Sequence, residues 1–163
     1  MSTNHVERTF VLVKPDGVQR ALVGEIIKRF ENVGLKIVGM KMRWVDGDFA
    51  KKHYKEHVGK PFYAGLESMI TEGPVIAMVL DGVHAVEQVR KMVGGTEPKT
   101  APPGTIRGDF CHVSYAHADK KGVAVKNIIH ASGNVKEAKE EIELWFDNHE
   151  IHTYETVHEK HTL

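Results

Sequence analysis

The 163-residue sequence predicts an α/β protein of the α+β type, with an antiparallel sheet and helices in one domain. Four apolar segments have the length of strands, and segments with helical periodicity lie between them. The chain is long enough for one hydrophobic core and too short to expect two. No internal repeat or linker divides it, so we expect a single domain over residues 1–163.

The first half of the chain alternates between strands and helices. A β-rich strand stops at the turn signal Pro15-Asp16-Gly17, and the helix after it ends at Gly34. Asp46 is placed to begin a short helix after the second strand. The predicted elements are a strand at 9–14, a helix at 22–33, a strand at 36–44, a short helix at 46–54 and another after Pro61.

The second half supplies the remaining strands. Residues 74–81 are almost all apolar, as in a central strand covered on both faces, and the next helix ends at Gly94-Gly95. Residues 96 to about 126 are rich in Gly, Pro and polar residues and predict a long loop. A short strand containing "NIIH" then precedes a helix, in which Asn134 and Glu137 are spaced as a capping box.

Without its short helices the order of elements is βαββαβ, which is the ferredoxin-like arrangement. In this arrangement we expect an antiparallel sheet with helices packed on one face. The fold carries many unrelated activities, so the function has to be argued from individual residues.

The composition indicates which classes of binding partner and which cellular compartment to expect. Lys plus Arg and Asp plus Glu both number 22, so the net charge is zero and nucleic acid is not favoured as the main partner. The single cysteine excludes an internal disulfide and is typical of a reducing cytosol. No apolar run is long enough for a signal core or a membrane span, so we expect a cytoplasmic protein without membrane contacts.

The sequence lacks the glycine-rich loops that usually cradle phosphates. Neither a Walker loop nor a G-x-G dinucleotide motif is present. Any phosphate site must therefore use cationic side chains, for which Lys14, Arg90 and Arg107 are candidates. The alternative for each of them is an ordinary solvated surface charge.

His130 stands at the end of a short strand, directly before three small or flexible residues. Bulky neighbours would shield an imidazole, so this setting suggests that a ligand must reach it. A neutral imidazole has a free lone pair at physiological pH and is therefore a usable nucleophile.

Three segments in this order resemble nucleoside diphosphate kinases: "TFVLVKPDGVQRALVGEIIKRFE", "PGTIRGDF" and "NIIHASG…EAKEEIELWF". The likeness extends from about Glu7 to Phe146. It implies an enzyme in which His130 accepts the γ-phosphoryl group of a nucleoside triphosphate, typically ATP, and passes it to a nucleoside diphosphate. The transfer would be ping-pong, with broad tolerance of the base.

The resemblance implies roles for further side chains. Glu141 matches the glutamate that orients the histidine. Phe62 matches the aromatic residue that stacks on the base, although without the resemblance a core phenylalanine would be the simpler interpretation. Contacts to phosphate and ribose match Lys14, Arg90, Thr96, Arg107 and Asn127, and positions near the transferred phosphate match Tyr54 and Ser132. Mg²⁺ should arrive with the nucleotide, bound by phosphates and water with no confident protein ligand.

The sequence departs from the family pattern at Ala131 and at Gly133-Asn134, beside His130, and in two longer segments. The segment at 111–126 is a longer insertion than usual, and the C-terminal tail at 147–163 differs from the commonest ending. In the insertion, Cys111, His112, His117 and Asp119 allow a metal-site interpretation, but a polar surface hairpin is the better one. Family members are homo-oligomers, and we expect a hexamer more than a tetramer.

Three rival functions stay open at this point. One is a sensing or regulatory module that binds nucleotide without turnover. Another is a phosphohistidine carrier that receives its phosphate from a protein, which would not need a nucleotide site. The third is a side activity toward nucleic acid, which the neutral net charge disfavours.

Overall fold

The computed structural model describes residues 5–157 and 159–162. Its four strands form one sheet in the order β2-β3-β1-β4, and every neighbouring pair is antiparallel. The strands are β1 (Val6–Val13), β2 (Lys36–Arg43), β3 (Val75–Val83) and β4 (Ile129–Ala131). This arrangement confirms the ferredoxin-like α+β fold that the sequence predicts.

The five predicted helices begin and end near the expected positions, and the structure contains further short helices. They are α1 (Pro15–Gln19), α2 (Val23–Asn32), α3 (Gly47–His53), α4 (Tyr63–Thr71), α5 (Ala85–Val93), α6 (Ile106–Phe110), α7 (Tyr115–Lys121), α8 (Val135–Trp145) and α9 (Glu159–Thr162), with 3₁₀ turns at Pro98–Thr100 and Asn148–Glu150. Asp46 caps α3 by accepting from the backbone N–H of Phe49 at 2.8 Å. Asn134 caps α8 in the same way, accepting from Glu137 at 2.9 Å. Each cap satisfies an N–H group that has no partner within its helix.

Helices cover both faces of the sheet, so the prediction of helices on one face is wrong. Side chains of a strand point alternately to opposite faces. Val11 and Val13 of β1 pack in a cluster with α2 and α5. Phe10 and Leu12 pack on the other side with residues of α3, α4 and α8. The central strand β3 is buried from Val75 to Leu80, as its continuous apolar sequence predicts.

The predicted long loop at 96–126 is largely helical. The 3₁₀ turn, α6 and α7 all lie in it, so the insertion is a helix and the expected hairpin is wrong. Ser114 caps α7, and Gly122 ends it with a left-handed φ of 64°. The backbone N–H of Tyr115 donates to Glu97 at 2.9 Å, which ties the insertion to the preceding turn.

The segment expected as a turn at Pro15-Asp16-Gly17 is the first turn of α1. This junction is hydrogen-bonded to Ile128, the residue just before β4. The backbone N–H of Lys14 donates to Ile128 at 2.8 Å, and Asp16 Oδ2 accepts from the Ile128 N–H at 3.0 Å. Ile128 has a φ of 59°, which is unfavourable for a β-branched residue. These two hydrogen bonds hold the strained residue in place, two positions before His130.

The C-terminal tail lies along one end of the edge strand β2. The N–H of His152 donates to Val38 at 2.7 Å, and the Tyr154 hydroxyl donates to Ile37 at 2.6 Å. The other end of β2 leaves Met40 and Met42 exposed, at 54% and 61%. Within residues 5–157 and 159–162, no helix is long and apolar enough to cross a membrane.

Candidate active site

His130 is held in one orientation by Glu141. Strand β4 places His130 opposite Leu12 of β1, and Glu141 reaches it from the middle of α8. Nε2 of His130 and Oε1 of Glu141 are 2.6 Å apart. Because a carboxylate accepts hydrogen bonds, the imidazole proton belongs on Nε2 and Nδ1 keeps a lone pair. The side chain of His130 is 26% exposed, so a ligand can reach it.

Ser132 forms a hydrogen bond to the carboxylate oxygen of Glu141 that does not contact His130. Its hydroxyl donates to Oε2 of Glu141 at 2.5 Å and accepts from the N–H of Phe10 at 3.3 Å. Ser132 is fully buried, and its place near a transferred phosphate stays a prediction. Its contact fixes the second oxygen of the carboxylate that orients His130.

Lys14 and Asn127 form a buried pair next to this histidine. Lys14 Nζ donates to Asn127 Oδ1 at 2.7 Å, and Asn127 Nδ2 donates to the carbonyl of Thr96 at 2.9 Å. Burial lowers the pKa of Lys14 to about 8, and the nearby charge of Arg107 acts in the same direction. The ammonium group is thus poorly solvated and ready for an anionic ligand.

Arg107 is buried and partly engaged with the backbone. Its guanidinium donates to the carbonyls of Gly94 at 3.0 Å, Ile129 at 2.6 Å and Asn127 at 3.4 Å. A guanidinium has five N–H donors, so these contacts leave donors for a ligand. Burial is the main cause that lowers the pKa of Arg107 to about 10, and the side chain stays charged at neutral pH.

A cavity of about 270 Å³ collects most of the predicted site residues. Those that line it are Lys14, Tyr54, Arg90, Thr96, Arg107, Asn127 and His130. Three of them are cationic and the lining contains no carboxylate, which suits a polyphosphate. The Tyr54 hydroxyl is buried and has no hydrogen-bond partner among the described residues. Burial raises the pKa of Tyr54, so this hydroxyl is a protonated donor available to a ligand.

Phe62 lies outside the lining of this cavity. Its side chain is 52% exposed, and its ring centroid is 5.4 Å from that of His57. His57 and Leu66 line the cavity, and the sequence analysis missed both. His57 stands three residues after Tyr54 in "HYKEH", so the local density of histidines was the only available signal.

The metal-site interpretation of the insertion finds no support. Among residues 5–157 and 159–162, the one group of three side chains close enough to share an ion is His53, His130 and Glu141. The cysteine, histidines and aspartate of the insertion do not form such a group. The cation-lined cavity offers no carboxylate to Mg²⁺, so nucleotide phosphates would supply most ligands of that ion.

An oriented histidine beside a cavity of cationic side chains suits the class of enzymes that transfer phosphoryl groups, and comparisons with known proteins agree. The family model described as nucleoside diphosphate kinase matches residues 7–151. The chain therefore belongs to the nucleoside diphosphate kinase family, and it is an enzyme, which confirms the resemblance seen in the sequence.

Individual relatives are similar over nearly their whole length. The nucleoside diphosphate kinase of Pyrococcus furiosus is 54% identical over 151 residues, which cover 93% of this chain and 89% of that protein. A solved structure of the Borrelia burgdorferi enzyme, a transition state mimic with bound vanadate and ADP, has a TM-score of 0.94 and 44% identity. That alignment covers 97% of each chain. The Halobacterium salinarum enzyme in complex with CDP has a TM-score of 0.85 and 46% identity, and the alignment covers 96% of this chain and 97% of that one.

Proposed function

We propose that this enzyme transfers the γ-phosphoryl group of a nucleoside triphosphate, typically ATP, to a nucleoside diphosphate through a phosphohistidine at His130. The observation that carries this proposal is the 2.6 Å contact between Nε2 of His130 and Glu141. It leaves the lone pair of Nδ1 available beside a cavity lined with cations.

The reaction proceeds in two balanced halves. The lone pair of Nδ1 forms a bond to the γ-phosphorus, and the bond from that phosphorus to the bridging oxygen breaks, so the diphosphate leaves with the electron pair. A terminal oxygen of the second diphosphate then forms the new bond, and the pair returns to Nδ1. Positive charge develops on the imidazole in the first half, and the Glu141 carboxylate stabilises it through Nε2–H.

The remaining side chains position the phosphates. Arg90, Thr96 and Arg107 bind phosphate oxygens, and the free hydroxyl of Tyr54 donates to the transferred group. Lys14 and Asn127 bind sugar hydroxyls and the nearest phosphate oxygens, as the buried pair between them suggests. Mg²⁺, held by the phosphates, would offset part of their charge and orient them.

Broad tolerance of the base follows from the position of Phe62. An exposed aromatic ring beside His57, which lines the cavity, can stack on any base, because every base has a π-face. The two solved relatives contain a purine nucleotide, ADP, and a pyrimidine nucleotide, CDP. This variety supports the same tolerance here.

The proposal also covers the oligomeric state, the domain organisation, the cellular location and the partners of the enzyme. The exposed methionines of the edge strand β2 suit contact with a second copy, so we infer a homo-oligomer, a hexamer more than a tetramer. We also infer a single domain over residues 1–163 in the cytoplasm, with nucleotides as partners and with neither membrane nor nucleic-acid binding.

Mass spectrometry of the intact protein tests the proposal. After brief mixing with ATP and Mg²⁺, the wild type should gain one phosphoryl group, and addition of GDP should remove it with formation of GTP. His130→Ala should gain none and still bind nucleotide, whereas the control His117→Gln, in the exposed helix α7, should behave as the wild type.

Two outcomes would contradict the proposal. A wild type that binds ATP without a mass change would favour the sensing module. A protein that takes phosphate from a phosphorylated protein and never from ATP would favour the phosphohistidine carrier.

A further inference from the structure

His53 has no role in the steps described above, yet it lies directly against the nucleophile. It is the last residue of α3, and its ring is nearly perpendicular to that of His130. The two ring centroids are 5.1 Å apart, with an interplanar angle of 84°. Because the two rings are in contact, the protonation state of His53 affects the reaction proposed at His130.

Trp145 fixes the tautomer of His53. The indole Nε1–H can only donate, and it lies 3.2 Å from Nδ1 of His53. Nδ1 is therefore the acceptor, and in the neutral ring the proton belongs on Nε2. That Nε2 is buried and has no hydrogen-bond partner among the residues that the structure describes. An unsatisfied buried donor of this kind is rare and calls for an explanation.

One face of α8 holds both histidines. Glu141 and Trp145 are four residues apart, so their side chains lie on the same side of the helix. The glutamate bonds to His130, and the tryptophan bonds to His53. The relative placement of the two imidazoles is thus set by a single rigid element.

The surroundings keep His53 uncharged. Burial lowers its pKa well below the ordinary 6.5, and the neighbouring basic groups His130, Lys14 and His57 act in the same direction. At neutral pH the ring therefore carries one N–H donor beside the catalytic histidine and adds no charge.

The three groups have the composition of a metal site, but the tautomer argues against one. Ligand atoms of His53, His130 and Glu141 all lie within 4.8 Å of one another. A metal needs a lone pair, whereas the nitrogen of His53 that faces away from Trp145 carries the proton. A carboxylate, in contrast, accepts such a proton readily.

We propose that His53 is a positioning residue, whose Nε2–H holds the Glu141 carboxylate in line with His130 while the phosphoryl group is transferred. The inference rests on the phosphohistidine mechanism proposed above. It explains the unsatisfied donor, because the carboxylate can accept from His53, His130 and Ser132 together once the site tightens around its substrate.

Two substitutions distinguish the roles of the two ring nitrogens of His53. In His53→Asn, the amide can still accept from Trp145 but has no donor at the place of Nε2. In His53→Gln, the longer amide can donate from about the place of Nε2 but loses the contact to Trp145. For each protein, rapid-quench mixing with ATP and Mg²⁺ gives the rate constant of phosphorylation, and the dependence of that rate on ATP concentration gives the apparent dissociation constant of ATP.

We expect His53→Asn to lower the phosphorylation rate constant by about tenfold and His53→Gln by about threefold or less, with ATP affinity changed less than about twofold in both. A structural role alone would make the two variants equal or would weaken ATP binding in step with the rate. Because either change could disturb folding, Trp145→Phe provides a second route. It frees the tautomer of His53 and should also slow phosphorylation without weakening ATP binding.

The outcomes distinguish this inference from the function on which it rests. A wild type that never gains a phosphoryl group overturns both. A phosphorylated wild type with an equally fast His53→Asn overturns the role of His53 alone. Stoichiometric Zn²⁺ binding by the wild type that both His53 variants lose would make His53 a metal ligand and overturn its role as a donor.

Discussion

Lys14 combines a buried position with its proposed role at the phosphates, and the two conflict. Burial favours the neutral amine and lowers the pKa to about 8, whereas a phosphate needs the charged form. The free enzyme therefore holds a lysine that begins to lose its charge just above neutral pH. A bound nucleotide would restore the charge, so binding and protonation are linked.

This linkage gives a pH dependence with a defined sign. As pH rises through about 8, Lys14 of the free enzyme loses its proton, so nucleoside diphosphate affinity should fall by several-fold between about pH 7 and pH 9. Calorimetric titration of His130→Ala with ADP would measure it without turnover.

Lys14→Met is the control for that measurement. It should bind ADP weakly at pH 7, with little further loss toward pH 9. An equal decline in both proteins would assign the pH dependence to another group.

Individual side chains were predictable to different degrees. His130, Glu141 and the cations could be found because their motifs are specific, and the structure brings them together. The positions of Ser132 and His53 could not, because both depend on which face of α8 meets β4. Sequence spacing carries no such information.

The junction of β1, α1 and β4 depends on the absence of a side chain at Gly17. A Cβ there would lie 2.8 Å from Val13 Cγ1 and 2.9 Å from the carbonyl oxygen of Ile128. Either distance is too short, and the carbonyl belongs to the strained residue that precedes the catalytic strand. The close approach of α1 is therefore what places β4.

Gly17→Ala should lower the free energy of unfolding by about 1–3 kcal/mol, because the extra methyl group overpacks this junction. It should also reduce phosphorylation of His130. The matched control is Gly24→Ala in α2, where no atom lies within 4 Å of the added Cβ. That change should be neutral or slightly stabilising, since alanine favours helices over glycine. Urea denaturation of both variants provides the comparison, and equal stabilities would contradict the overpacking argument.

Strands and capped helices were the predictable elements, and the segment at 96–126 was not. Apolar runs such as 74–81 and caps such as Asp46 and Asn134 can be recognised from a few neighbouring residues, so they predict their strand or helix without tertiary information. The helices α6 and α7 are short and have few apolar positions, so their periodicity is too weak to detect. Their stability comes from caps and from contacts such as Tyr115 with Glu97, which are tertiary.

The molecule as a whole presents one long unpaired edge. Strand β2 ends the sheet, and among the residues that the structure describes, hydrogen bonds from the tail to its backbone carbonyls are made at Ile37 and Val38. Beyond that point Met40 and Met42 are exposed together with Trp44, which is 67% exposed. Apolar side chains beside a free strand edge are normally covered in a soluble protein. The global prediction of the fold was correct, but the sequence could not show which strand forms this edge.

The double substitution Met40→Glu with Met42→Glu should weaken association, because it places like charges where two copies would meet. Sedimentation velocity should show species smaller than the wild-type assembly. Val123→Glu, at an equally exposed apolar residue of the insertion, is the control and should leave the assembly intact. An unchanged assembly in the double variant would place the interface elsewhere.

The grip of Asp16 on Ile128 joins residues 112 positions apart in the chain. Such a contact forms late during refolding. The chain loses the conformational entropy of closing a long loop before the contact can contribute any stabilising free energy. The helices and the central strands can form while the last strand is still free. The proposed phosphorylation of His130, in that last strand, therefore depends on one of the last contacts to form within the chain.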